Sequence, residues 1–297
     1  MPELPEVETV KEGLNQTTLD QNIVGGDVLL TRTIARPLSA SEFISGVQNV
    51  AIARWYRRGK YLLARLAPPG RQPDPAIETP RIETQTSEAG WLGVHLRMTG
   101  QLLWLTPEEP LQKHTRVRLF FAGGRELRFV DQRTFGQMWW VPPDVVAADV
   151  ISGLRELGPE PLSEEFSPEY LAGRLRLARR PVKTALLDQS FIAGLGNIYA
   201  DEALFLSGIR PTTPSCQVTS KQVEALHPQI LRVLEDAIAS GGTTIRNFLN
   251  VEGVNGNYGG RAWVYNREGE PCRVCETPIQ RLKLAGRSAH FCPRCQH

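Results

Sequence analysis

The sequence predicts an α+β protein in which strands come first, helices follow and a small cysteine-rich module closes the chain. Three observations carry this. Short alternating apolar runs fill residues 28–141 with no long helical pattern between them. Helical periodicity takes over from about residue 168, after the Pro142-Pro143 and Gly158-Pro159-Glu160-Pro161 punctuation. Four of the five cysteines fall in the last 26 residues. Strands followed by helices, without alternation, argue for antiparallel sheets in a sandwich or barrel and a separate helical part. At 297 residues two or more cores are expected, and the boundaries suggested are 1–143, 144–261 and 262–297.

The opening Met1-Pro2-Glu3-Leu4-Pro5-Glu6 leads into a short amphipathic helix over Pro5–Leu14, with Val7, Val10 and Leu14 on one side. Loss of Met1, which a small second residue permits, leaves Pro2 with a free secondary amine. An α-amino group titrates near about 8, so part of it is unprotonated and nucleophilic at neutral pH. Its attack on an aldehydic carbon gives an iminium, an electron sink. Glu3 is the adjacent carboxyl able to shuttle protons. The same residues also suit an ordinary helix start, with proline in the first turn and acids at the N-terminus.

Strands are expected at Val28–Ile34, Val50–Trp55, Tyr61–Leu66, Trp91–Leu96, Gln101–Leu105 and Phe135–Val141. The run Val117–Phe121, Gly123-Gly124, Glu126–Val130 is the clearest hairpin. Pro68–Gly90 reads as a surface loop. Helices are expected at Pro168–Ala178, Val182–Gln189, Ile198–Ser207 and Ser220–Ser240, with Gly241-Gly242 stopping the last and Thr243 or Thr244 capping a short one. Asn250–Arg261, with four glycines and three asparagines, reads as a substrate-contacting loop. No long-period repeat is present. In Gly194–Glu202, two glycines and an N-capping Asn197 precede a helix, a place where free N–H groups suit a phosphate oxygen as well as a plain capped turn.

Net charge is only +2, yet Arg54–Arg65 and Arg174–Lys183 each carry five positive charges and no acid. Such stripes suit phosphates or simply form solvated faces. There is no secretory n-region with an apolar stretch and no apolar run of about 18 residues, so a cytoplasmic location is expected. Cys272-x2-Cys275, sixteen residues, then Cys292-x2-Cys295 fits a closed four-thiolate site for one structural zinc ion. Arg281, Lys283 and Arg287 lie between the knuckles around an Ala285-Gly286 turn, a basic hairpin suited to phosphates. Cys216 is expected to be a structural thiol.

Taken in order, Pro2-Glu3-Leu4-Pro5-Glu6, Arg58-Gly59-Lys60-Tyr61, His95-Leu96-Arg97-Met98-Thr99-Gly100, Asp131-Gln132-Arg133-Thr134-Phe135-Gly136, the Gly194–Glu202 stretch and the zinc knuckles resemble the formamidopyrimidine-DNA glycosylase / endonuclease VIII family. The resemblance spans Pro2 to Cys295, and Leu4 and Val7 match the formamidopyrimidine branch. It implies an N-terminal β-sandwich, a helix–two-turns–helix domain and a zinc-ribbon hairpin. It also implies a monomer that excises oxidised purines from double-stranded DNA and then cleaves the strand. The resemblance makes Pro2 the nucleophile and Glu3 the proton donor to the leaving base, with Glu6 a supporting acid. Lys60 corresponds to the proton donor for β-elimination, and Arg287 to the phosphate-binding residue of δ-elimination. Met98, Arg133 and Phe135 correspond to the wedge that fills the gap left by a flipped nucleotide. His114, Lys183, Asn197 and Tyr258 fall at DNA-contacting positions.

Extrusion of a base costs a few kcal/mol of unstacking, which an apolar wedge partly offsets. Gln132 and Thr134 depart from a motif that often has proline and a basic residue there, and Val251–Tyr258 departs from the usual base-contacting loop. Two other readings compete: an endonuclease VIII-like preference for oxidised pyrimidines, and a non-catalytic zinc-dependent binder of damaged DNA.

Overall fold

A computed structural model describes residues 1–71, 82–243 and 258–297 of the chain. The expectations for residues 72–81, for the helix after Thr244 and for the loop 250–257 lie outside these residues. The described chain divides into two compact units. One is built on the sheet and runs to Glu156, with Met1–Pro2 and Thr243 added to it. The other is helical, from Leu157 to Gly242, and includes Glu3–Pro5 and the described C-terminal residues from 258 on.

Helix α1 (Leu4–Thr17) belongs to the first unit from Glu6 on, and there it buries Val7, Val10 and Leu14 as its periodicity predicts. The hydroxyls of Thr17 and Thr18 bond back to the carbonyls of Gly13 and Leu14 at its end. Nine strands follow: β1 (Asn22–Val28), β2 (Ile34–Arg36), β3 (Val50–Arg58), β4 (Tyr61–Ala67), β5 (Trp91–His95), β6 (Gly100–Leu105), β7 (Thr115–Phe121), β8 (Glu126–Asp131) and β9 (Gln137–Val141). Their order is β2-β9-β5-β4-β3-β1-β7-β8-β6, antiparallel except for β2 beside β9. Only two residue pairs join β1 to β3, Asn22↔Ala51 and Ile23↔Val50. The two halves flanking this junction form a sandwich whose apolar faces share one core, with Ile52, Trp55, Leu62 and Val94 from one half and Leu102, Val117, Leu119 and Phe129 from the other.

Beside β3, the Asn15 amide exchanges two hydrogen bonds with the Trp55 backbone, at 3.0 and 2.8 Å.

Strand β7 alternates buried and half-buried residues, whereas β8 is buried on both faces. Its expected polar face carries Arg128, which donates to the carbonyls of Thr106, Glu109 and Pro110 and pairs with buried Glu126. The 106–112 segment therefore covers that face, and five carbonyl or carboxylate oxygens accept from the two terminal guanidinium nitrogens.

Several expectations are corrected. The single strand over Val28–Ile34 is instead the end of β1, a 3-10 turn at Thr31–Thr33 and the start of β2. Helix α2 (Ala40–Val47), capped by the Ser39 hydroxyl, went unread because eight residues give little more than two turns of pattern. Residues 144–156, expected with the helical part, pack on the sheet: α3 (Ala147–Val150) lies there, Ile151 meets Gly93, and Gly153 abuts the Tyr61 hydroxyl. The end of the proline-rich loop also packs, with Ile82 buried and the Ser87 hydroxyl on the Leu66 carbonyl.

The second unit holds α4 (Pro168–Arg176), α5 (Val182–Leu186), α6 (Asn197–Leu206) and α7 (Ser220–Ala239). Helix α7 begins with a capping box of Thr219 and Gln222. Strands β10 (Gln280–Leu284) and β11 (Arg287–Phe291) form the terminal hairpin. The hairpin belongs to this unit because Phe205 of α6 packs with Val264, Cys272, Ile279 and Cys292. Cys216 is exposed, a correction, because it sits in a surface 3-10 turn. Among the described residues no helix is long and apolar enough to cross a membrane.

Candidate functional site

In the sheet unit, Pro2 is buried and Met1 stands 42% exposed before it. Glu6 is buried in the first turn of α1, and its carboxylate accepts the Thr243 N–H at 2.7 Å. Lys60 follows Gly59 in the two-residue turn joining β3 to β4; Gly59 has φ +55°, which a side chain would strain. Lys60 is 6% exposed. Nearby, burial lowers His95 to about 3, and the charges of Arg97 and Lys60 add to this. The imidazole is thus neutral; its Nδ1 accepts the Arg97 N–H at 3.0 Å, and its ring meets Tyr61 edge-on.

Met98, Arg133 and Phe135 lie on two loops, after β5 and after β8, and all three are exposed. Met98 and Phe135 expose 40% and 53% of their surface, and Arg133 lies over the Phe135 ring at 5.1 Å. Buried Asp131 joins the loops. It accepts the Thr99 hydroxyl, the Arg133 N–H at 3.2 Å and the Gly136 N–H at 2.7 Å. Arg133 N–H also reaches the Thr99 hydroxyl at 2.9 Å. Gly136 must lack a side chain, since a Cβ would lie 2.5 Å from Phe129. Thr134, where the sequence departs from the motif, has φ +57° and receives a hydrogen bond from Arg32, so a guanidinium stands between Arg133 and Phe135 in sequence after all, supplied from another segment. His114 is half-buried, its ring 3.2 Å from Arg116, which in turn donates to the Asp131 carbonyl.

In the helical unit, Gly196 occupies the N-cap of α6 and Asn197 is the first helical residue, which corrects the expected Asn197 cap. Glycine offers no capping oxygen. Glu3 supplies one: its carboxylate accepts the Ile198 N–H at 3.1 Å. A Cβ on Gly196 would lie 2.1 Å from the Glu3 carboxyl carbon, so this approach requires glycine. The Asn197 side chain hydrogen-bonds Tyr265, whose hydroxyl is raised by burial. Tyr258 opens a 3-10 turn through Arg261, and its side chain lies outside the described residues.

Arg287 is exposed at the start of β11, after a tight turn whose residues Ala285 and Gly286 have φ +47° and +80°. Lys183, expected to meet DNA, is turned inward and only 1% exposed: its ammonium is 2.7 Å from Asp201 and donates to the Ser288 carbonyl at 2.6 Å. Burial pushes this ammonium below the usual lysine range and Arg287 adds to that, while Asp201 and Glu3 oppose it.

The acids Asp201 and Glu202 escaped the sequence reading as site residues. Two adjacent carboxylates on an otherwise apolar helix were the available signal, because such groups are buried only with partners. Glu202 accepts three backbone N–H groups, from Trp263, Val264 and Tyr265. Burial nevertheless pushes its carboxyl up.

The sulfurs of Cys272, Cys275, Cys292 and Cys295 all lie within 4.8 Å of one another. Three of the separations are 3.9, 3.4 and 3.4 Å. Tetrahedral zinc with bonds of about 2.3 Å sets its sulfurs about 3.8 Å apart, so the residues fit the ion. Backbone N–H groups of Val274 and Cys295 point at Cys272 and Cys292 sulfurs, as a second shell should. The four thiolates form a structural zinc site with no open position.

Comparison with known proteins follows the same three parts. The formamidopyrimidine-DNA glycosylase N-terminal domain matches residues 1–138, the H2TH domain of that enzyme 157–249, and the zinc finger found in FPG and IleRS 269–297. A formamidopyrimidine-DNA glycosylase of Nostoc punctiforme is 63% identical over 296 residues, covering 100% of this chain and 96% of its own. One of Trichodesmium erythraeum is 61% identical over the whole of both. Among solved structures, the Lactococcus lactis enzyme with abasic-site DNA aligns at TM-score 0.84 and 32% identity over 99% of each chain. A complex with carbocyclic 8-oxo-G DNA aligns at 0.85 and 32% over 100% of each. Domains, order and full-length relatives agree, and the chain belongs to the formamidopyrimidine-DNA glycosylase family.

Proposed function

We propose that the chain is a bifunctional DNA glycosylase and AP lyase of base-excision repair, acting on 8-oxoguanine and formamidopyrimidines. Removal of Met1 frees the Pro2 amine, which attacks C1′ of the damaged nucleotide. The glycosidic C1′–N bond breaks, and the base leaves with a proton from Glu3. Ring opening gives an iminium between the Pro2 nitrogen and C1′, which acidifies C2′. Loss of a C2′ proton to water expels the 3′ phosphate, to which Lys60 is the proton donor, and a second elimination assisted by Arg287 loses the C4′ proton to water and expels the 5′ phosphate. Glu6 is a second, supporting acid near the site.

Met98 and Phe135 fill the space of the extruded nucleotide while Arg133 faces the opposite base. His114, Asn197 and Tyr258 contact DNA. Zinc fixes the hairpin that carries Arg287 and takes no part in bond making.

The observation that carries this reading is Glu3. Its carboxylate, one residue from the proposed nucleophile, is held on the Ile198 N–H against Gly196 and so keeps a defined position for proton transfer. The relatives solved with abasic and 8-oxo-G DNA support the substrate class.

Borohydride trapping on a lesion panel tests it. An 8-oxoguanine duplex should yield a covalent adduct through Pro2, and Pro2→Gly should abolish it. No adduct would favour a pure DNA binder, and faster release of thymine glycol than of 8-oxoguanine would overturn the purine preference.

A further inference from the structure

The zinc site and the Arg287 turn lie at opposite ends of β11. Five residue steps lead from Arg287 to Cys292, about 17 Å of extended strand at about 3.4 Å per step. Zinc pins one end, so a strand held only there could pivot at the other. Contacts nearer Arg287 come from the helices. Asp201 on α6 accepts both the backbone N–H of His290 at 3.0 Å and its ring Nδ1 at 3.2 Å. Lys183 on α5, paired with Asp201 at 2.7 Å, donates to the Ser288 carbonyl. Backbone groups of residues two apart face the same edge of a strand, so Ser288 C=O and His290 N–H are covered together. The ion pair does for this edge what another strand would do, donating to one group and accepting from the next.

We propose that Asp201, acting with Lys183, is a positioning residue for Arg287, fixing the first half of β11 so that the guanidinium meets the DNA phosphate at the second elimination. Two charges buried to 1% or less are costly to desolvate, and an apolar pair would serve packing as well or better. An apolar pair could not engage the backbone of the strand. Lys183 also lies close enough to Arg287 to feel its charge, and Asp201 offsets the repulsion between these two cations. Arg287 itself is thereby left exposed for a phosphate rather than drawn into the protein.

The proposal rests on the role given to Arg287 above, and a double-mutant cycle separates the two. Asp201→Asn, Arg287→Ala and the combination are compared in the full-length, zinc-loaded protein with abasic-site and 8-oxoguanine duplexes. The readouts are KM, the ratio of second to first elimination product, and single-turnover base release. Asp201→Asn should lower the product ratio about tenfold and raise KM, with base release and zinc content unchanged. The double variant should be no worse than Arg287→Ala alone, because a positioning residue has nothing left to position.

Additive losses, or equal losses in all steps, would show Asp201 to be merely structural and overturn the proposal. If Arg287→Ala itself changes nothing, the assignment of Arg287 falls and the proposal falls with it. Should Asp201→Asn not fold, Lys183→Met with Asp201→Asn leaves no unpaired buried charge, and the same cycle applies to it.

Discussion

The loops after β5 and β8 of the sheet unit and the hairpin of the helical unit each display an exposed arginine, Arg133 and Arg287, and each hangs from a buried aspartate. The means differ. Asp131 is surrounded by neutral donors, the Thr99 hydroxyl and the N–H groups of Arg133 and Gly136, all from segments the sheet already brings together. Asp201 faces Lys183 and His290, from elements far apart in sequence. Where strands have set the register, a few hydrogen bonds finish the job. Where a small metal-pinned module must be docked on helices, a charged pair and a metal take the place of a sheet. The hairpin should therefore be the more breakable of the two.

Metal removal offers the largest effect. Chelation or Cys272→Ser should unfold the hairpin, a site of this kind contributing on the order of 10 kcal/mol of apparent metal-binding energy. Limited proteolysis should then cut within residues 262–297 and DNA affinity should fall. Unchanged protection would mean the hairpin folds without zinc.

Next, Lys183→Met strands the Asp201 charge and should cost about 3–5 kcal/mol in denaturant unfolding, much of it recovered by adding Asp201→Asn. The sheet-side counterpart, Asp131→Asn, keeps an acceptor and should cost only about 1–3 kcal/mol. Equal losses would erase the contrast between the two anchors.

Acid bears on the sheet unit through His95. Its folded value of about 3 lies below the ordinary 6.5, so the folded state binds fewer protons than the unfolded one in that interval. The stability it lends is present above 6.5 and is lost as pH falls toward 3, by up to about 1.4 kcal/mol per pH unit. His95→Gln should flatten the acid limb of the stability curve. A superimposable curve would show that His95 does not carry it.

The smallest expected effect is local. Gly196→Ala puts a methyl group on the Glu3 carboxyl and should slow base release about tenfold, or about 1.4 kcal/mol, with the hairpin anchor untouched. Undiminished release would mean that Glu3 need not stay where it is held.

Patterns of short range were legible in the sequence. The β7–β8 hairpin follows from alternation around Gly123-Gly124, the α7 boundaries from periodicity and caps, and the four-cysteine site from spacing alone. The family motifs singled out Met98, Arg133 and Phe135, which the structure leaves exposed on two loops. Partners across long sequence distances were hidden. Nothing local says that the β8 guanidinium of Arg128 would be roofed by residues 106–112, or that Lys183 in a basic stripe would turn inward. Asn197 looked like a cap because the true capping oxygen, on Glu3, is 195 residues from the Ile198 N–H it caps.

The sequence by itself determined most of the extended and helical segments and the zinc ligands, because apolar period, turn chemistry and ligand spacing act between near neighbours. Only the tertiary structure decided which charges are buried and which stay exposed. That choice depends on whether a partner arrives from a distant segment to offset desolvation, and a linear pattern carries no information about the arrival.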